Sequence, residues 1–127
     1  MQERDLYEYA IIRVVPRVER EEFMNIGVIV FCAKQRFLEV VFHLDTARLA
    51  AFCPQTDIEE LHLHLIALQR ICSGEKEAGP IAQLDRPSRF RWLTATRSTV
   101  IQASKVHPGF CADAATTLEK IYRTMVL

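Results

Sequence analysis

Residues 6–15, LYEYAIIRVV, are apolar or aromatic at nearly every position and rich in β-branched side chains, which predicts a strand. Tyr7, Tyr9, Ile11, Arg13 and Val15 fall on one face of it, and Glu8, Ala10, Ile12 and Val14 on the other. Two largely apolar faces predict a central strand. Pro16 ends it, because proline cannot donate to a ladder. The charged stretch 18–22 follows as a surface excursion. Residues 23–33, centred on NIGVIVF, predict a second strand, and FLEVVF at 37–42 a third. The short connection Ala33-Lys34-Gln35-Arg36 makes this pair a hairpin.

The period then changes. Asp45 is placed to cap a short helix over 46–52, stopped by Pro54. Asp57 and Glu60 have the spacing of a capping box. The helix they open runs to Ser73, with Ile58, Leu61, Leu65, Leu68 and Cys72 on one stripe and Gly74 at its end. Residues 80–93 show no sustained period and are expected to be irregular, with one or two short helical turns. Residues 99–103 predict a fourth strand and Pro108-Gly109 a turn. Asp113 caps a last helix over 114–125, with Leu118, Ile121, Tyr122 and Met125 as its apolar face. Strands first and helices later predict one α+β domain over 1–127: a mostly antiparallel sheet of at least four strands, with helices packed on one face.

A chain of 127 residues can bury a core without disulfides or metal. Cys32, Cys53, Cys72 and Cys111 form no C-x-x-C pair and lie among apolar residues, so they are expected to be reduced, buried and metal-free, Cys111 being the most exposed. The longest apolar run, 26–33, is too short to cross a bilayer, and the charged residues 1–5 do not open a signal peptide. These features predict a cytoplasmic protein. Net charge is zero, yet residues 1–84 carry 9 basic and 13 acidic groups against 7 and 3 in 85–127. Two halves of one domain that neutralise each other explain this as well as an anionic partner does.

No phosphate-binding loop, nucleophile elbow or H-E-x-x-H motif is present, and no cofactor is expected. His62 and His64 lie about 200° apart on a helix and cannot share a metal. Residues 86–105 hold five basic groups, no acidic one, and Phe90 and Trp92, a combination that suits single-stranded nucleic acid. The zero net charge argues against that partner. Arg13 is the residue most out of place. A guanidinium inside an apolar strand face needs a carboxylate or carbonyls, and Glu22 and Asn25 are expected to supply them. The functional alternative is a polar pocket at the sheet end, joined by Arg97, Ser98, Thr99, Gln102 and His107, that holds an anionic or amide-bearing ligand.

Two blocks of residues resemble a bacterial family known only as domain of unknown function 3037. One is Tyr9, Arg13, Val15-Pro16, Glu22 to Val28 and Phe31-Cys32. The other is Gly79-Pro80-Ile81, Phe90 to Ala95, Arg97 to Val100, Gln102, Ser104, Val106-His107 and Gly109. The family has no assigned activity, so the resemblance implies no catalytic residue. It directs attention to Arg13, Glu22, Asn25, Gly27, Trp92, Arg97, Ser98, Thr99, Gln102 and His107. It also implies a protein partner, because members are often encoded beside a kinase-like protein that resembles the toxin kinase of a toxin–antitoxin pair. Three functions stand in order: a non-catalytic binding or regulatory module, a small enzyme or ligand-binding domain with Glu22 or His107 as acid or base, and a nucleic-acid binder.

Overall fold

Both faces of the first two strands are apolar, and the chain covers both. The computed structural model describes residues 4–95 and 100–127. Its strands are β1 (Asp5–Val14), β2 (Met24–Cys32), β3 (Phe37–Phe42), β4 (Ile101–Ala103) and β5 (His107–Cys111). Its helices are α1 (Thr46–Phe52), α2 (Ile58–Ser73), α3 (Arg86–Leu93) and α4 (Ala114–Met125). The strands form one antiparallel sheet in which β3, β2 and β1 are neighbours. The outer side of β1 pairs with β4 through Ile12–Val14 and with β5 through Asp5–Tyr9. The protein is therefore α+β, as the segregated pattern implies.

The helices do not form one layer on one face. Ala10, Ile12, Val14, Ile29 and Phe31 pack with Leu49 of α1, Leu61 and Leu65 of α2, and Phe90 and Leu93 of α3. Ile11, Val28, Val30 and Cys32, on the reverse of the same strands, pack with Ala114 and Leu118 of α4. The cause is the one that makes β1 central. A strand apolar on both sides needs a cover on both sides.

β5 stands where a turn was expected. Pro-Gly is a strong turn signal, but here Pro108 faces Glu8 and Gly109 faces Tyr7 in a ladder. Proline is tolerated because β5 is an edge strand and its missing N–H costs no ladder bond. Between β4 and β5 the chain passes Ser104, the one buried polar residue among those described, 7% exposed. Its backbone N–H donates to the Ile11 carbonyl at 2.8 Å, and its hydroxyl accepts from the Ile11 N–H at 2.8 Å. The side chain thus stands in for a carbonyl and carries the ladder across the break.

α3 replaces the irregular segment expected over 80–93. Asp85 accepts from the Ser88 N–H at 2.9 Å, and Pro87 lies in the first turn, where a missing N–H is harmless. Only Phe90 and Leu93 are buried on it, too few to show a period in sequence. The other helix boundaries follow their caps. Asp57 accepts from the Glu60 N–H, Gly74 adopts a left-handed φ of 74°, and Asp113 accepts from the Thr116 N–H.

All four cysteines are free and buried, Cys111 included, since β5 carries it beneath α4. Burial pushes the Cys72 thiol up to about 12, against an ordinary 9.0. Between those values the unfolded chain has lost a proton that the folded chain retains. Stability should fall as pH rises through that window, by at most about 1.4 kcal/mol per pH unit. Burial raises the Tyr7 and Tyr122 phenols in the same sense. A melting temperature that declines above pH 9 is the expected result, and a flat profile from pH 8 to 11 would show that Cys72 is not buried.

Candidate functional site

A helix is about 10 Å wide and strands are about 4.8 Å apart, so one helix covers two strands. On its face of the sheet α4 packs against β2 and β3. Tyr7, Tyr9, Ile11 and Arg13 of β1 point to that same face, with their neighbours on β4 and β5. α4 covers part of this strip: Ile11 is 3% exposed, Cys111 is buried with it, and Tyr7 and Tyr9 pack against the same cluster. The result is a half-covered shelf beside α4 on which Tyr7, Tyr9 and Arg13 are half-buried and His107 is exposed.

The shelf is aromatic along most of its length. The Tyr7 ring lies flat on Gly109, where a Cβ would stand 2.6 Å from the ring. Any larger residue there would push the Tyr7 ring aside. Tyr7 and Tyr9 stack with ring centroids 6.1 Å apart, and Tyr9 meets His107 at 5.2 Å. Both tyrosines are half-buried and His107 is exposed. Burial first, and then Tyr9, raises the Tyr7 phenol, which therefore stays protonated at neutral pH.

Arg13 closes one end. A bulge between Ile12 and Arg13 shifts the register, so that Arg13 pairs with Asn25 on one side and Gln102 on the other. The three side chains therefore share one rung. The guanidinium carbon lies 3.9 Å from the centroid of the Phe23 ring. Asn25 donates from Nδ2 to the Met125 carbonyl at 3.1 Å, which ties the rung to the end of α4. Arg13 Nε and Asn25 Oδ1 are buried without a partner, an unsatisfied donor and an unsatisfied acceptor on neighbouring strands. Such groups are uncommon in native proteins and cluster at working sites.

The expected Arg13–Glu22 pair does not form. Glu22 is exposed and accepts from Arg20 Nε at 2.6 Å. Arg20 is nearer in sequence and free to reach it. Glu22 instead lines a hollow of about 900 Å³ between the segment after β1 and the α1–α2 connection, with Arg17, Phe52, Asp57 and His64. Asn25 borders a second hollow, with Phe23, Arg48 and Met125. Trp92 is 39% exposed on α3, among the helices of the opposite face. Arg97, Ser98 and Thr99 lie outside the described residues. The structure thus brings together Arg13, Asn25 and Gln102, puts His107 further along the same shelf, and separates Glu22 and Trp92 from them.

The two candidates for acid–base work are also apart. His107 pairs with Tyr9, whereas Glu22 precedes Met24, the partner of Val14. Five strand residues separate those positions, roughly 17 Å. Among the described residues no group of three or more His, Cys, Asp or Glu side chains is placed to hold a metal.

The family described as protein of unknown function, DUF3037, has a model that matches residues 9–126. The chain belongs to this family. The match spans the shelf from Tyr9 to Gly109 and the whole of α4. No curated protein and no solved structure matches the chain. No helix of the described residues in this DUF3037 protein is long and apolar enough to cross a membrane.

Because Arg13 lacks a carboxylate, its removal is expected to be mild. Arg13→Met keeps the aliphatic packing, forfeits about 0.5–1 kcal/mol of cation–π attraction, and abolishes an unsatisfied donor. Thermal unfolding should place it within about 1 kcal/mol of the parent. Adding Glu22→Gln should change stability additively. A loss of several kcal/mol would reveal a buried ionic partner after all.

Proposed function

We propose that this protein is a cytoplasmic bacterial binding or regulatory module that performs no reaction of its own and holds a partner protein on the shelf beside α4. The observation that carries the reading is the half-covered sheet face, whose strip bears Tyr7, Tyr9, His107 and Arg13. Tyrosine and arginine are the residues that supply most binding energy at protein interfaces. The partner favoured by the family resemblance is a kinase-like protein.

The reading is tested by co-purification at native expression. The tagged parent should retain one partner at a fixed ratio. Tyr9→Asp should lose it, and Leu63→Asp, at a site 69% exposed on α2, should keep it. A parent chain that stays alone, or a partner indifferent to Tyr9→Asp, sinks the proposal.

The ligand-binding alternative draws on the 900 Å³ hollow, which is of ligand size. It holds Glu22 but none of Arg13, Asn25, Gln102 and His107. Nucleic-acid binding through 86–105 is weaker still. Phe90 is 3% exposed and stacked on Phe31, and Arg89 donates to the Leu84 carbonyl at 2.6 Å. Fluorescence anisotropy with a single-stranded oligonucleotide should therefore show no sub-micromolar, salt-sensitive binding.

A further inference from the structure

We infer that two copies of this chain pair antiparallel along the outer edge of β5, about a two-fold axis at Phe110, and so join their sheets into one. The pairing is independent of what the shelf holds.

The first argument is the set of donors and acceptors on that edge. Both backbone groups of Ile11 bond Ser104, so they point to the β4–β5 side of β1. Peptide groups alternate along a strand, so those of Tyr9, Tyr7 and Asp5 point the same way, to their partners His107, Gly109 and Cys111. Pro108 and Phe110 therefore face outward, with Ala112 next in the alternation. Among the described residues no strand pairs with this side of β5. It presents the N–H groups of Phe110 and Ala112 and the carbonyls of Pro108 and Phe110. Pro108 has no N–H, and the Ala112 carbonyl already accepts from Gln35 Nε2 at 3.1 Å. Turned about Phe110, this set is its own complement. The two Phe110 residues exchange both bonds, and each Ala112 N–H donates to the other copy's Pro108 carbonyl. The missing proline N–H then meets the one carbonyl that is already bonded. A shift of two residues breaks the match in either direction: one leaves the Phe110 carbonyl facing Pro108, and the other asks the Ala112 carbonyl for a second bond.

The second argument is apolar surface. Leu6 and Phe110 face each other across the β1–β5 ladder, on the side of the sheet away from α4, and are 55% and 67% exposed. The two-fold sets one Phe110 directly across from the other, with about 5.5 Å between their Cα atoms and a Leu6 behind each. The third argument is charge. Lys105 and His107 precede Phe110 and Asp113 follows it, so the antiparallel turn brings the basic end of one copy to the acidic end of the other, with His107 opposite Asp113. A foreign strand would need a matching gap in its donors, whereas a second copy supplies it by symmetry.

Sedimentation equilibrium of the full chain between about 1 and about 100 μM should show the mass rising from one chain toward two, because an edge of five residues makes a small and weak interface. Phe110→Asp sets like charges face to face at the axis and should abolish the rise, and Phe110→Tyr should keep it; circular dichroism checks each fold. Phe110→Cys should form a disulfide-linked pair in oxidised glutathione, since the Cα separation at the axis lies within disulfide reach. Leu63→Cys, equally exposed on α2, should stay single. The cross-link decides the matter if Phe110→Asp does not fold. A single chain at the highest concentration, a dimer indifferent to Phe110→Asp, or linkage through Leu63→Cys as fast as through Phe110→Cys overturns the pairing. So does a Phe110→Cys chain that, oxidised in cell extract, links to a different protein in place of its own copy.

Discussion

Leu65→Ala is expected to remove about 2–5 kcal/mol of stability, the usual range for emptying a fully buried leucine site. Leu65 is wholly buried in the middle of α2, facing the cluster that contains Ile12, Ile29 and Leu49. The helix is held at both ends, by Asp57 at its start and Gly74 at its close, so it cannot slide to fill the space. A domain of this kind has only about 5–15 kcal/mol in all. Urea unfolding should show a lower midpoint with an unchanged slope. A change below 1 kcal/mol would mean that α2 does not seal this face. Capture of a partner should survive below the new midpoint, because the shelf lies on the other side of the sheet.

Gly27→Ala should cost a comparable amount, on the order of 3 kcal/mol, for the opposite reason: an atom too many. A Cβ at Gly27 would stand 2.6 Å from the Val41 carbonyl oxygen and 3.0 Å from Phe42 Cβ. The first of these is backbone, so no rotamer change can relieve it. Gly27 pairs with Phe42 on one side and Ile12 on the other, next to the bulge that places Arg13 opposite Asn25. Separating β2 from β3 there disturbs the rung as well as the core. Partner capture should therefore fall along with stability, unlike in Leu65→Ala. Combining the change with Phe42→Gly, which removes the Phe42 Cβ, should not rescue it, since the carbonyl clash remains. Full recovery in that double variant would show that the side chain, not the backbone, is the obstacle.

These two positions also mark what the sequence could show. Leu65 belongs to a stripe with a capping residue before it and a glycine after it, so three independent signals agree on α2. The same agreement of cap and stripe makes α4 legible. β5 and α3 carry signals that point elsewhere. Pro108-Gly109 has local turn chemistry, overridden by pairing with a strand a hundred residues away. α3 buries too few side chains to repeat a pattern. Arg13 was visible as an anomaly because charge on an apolar strand face needs an explanation. Its surroundings were not, because the bulge at Ile12 and the ring of Phe23 are facts of register and rotamer. Tyr7 and Tyr9 resemble core residues in a strand pattern. That they are only half-buried follows from where α4 lies on their face.

The edge of the sheet spliced at Ser104 has a further consequence, for biosynthesis. β1 finds β2 within a few dozen residues, but the bond between Ile11 and Ser104 closes a separation of 93. A ribosome adding 5–20 residues per second needs about 5–20 s to make the strands that cover that side of β1. During that interval the nascent chain shows an open row of amides on a largely apolar strand, a template for pairing with a second nascent copy. Slow synthesis or high expression should therefore favour aggregation of a chain whose finished form has the same edge closed by two short strands, one of them carrying Pro108.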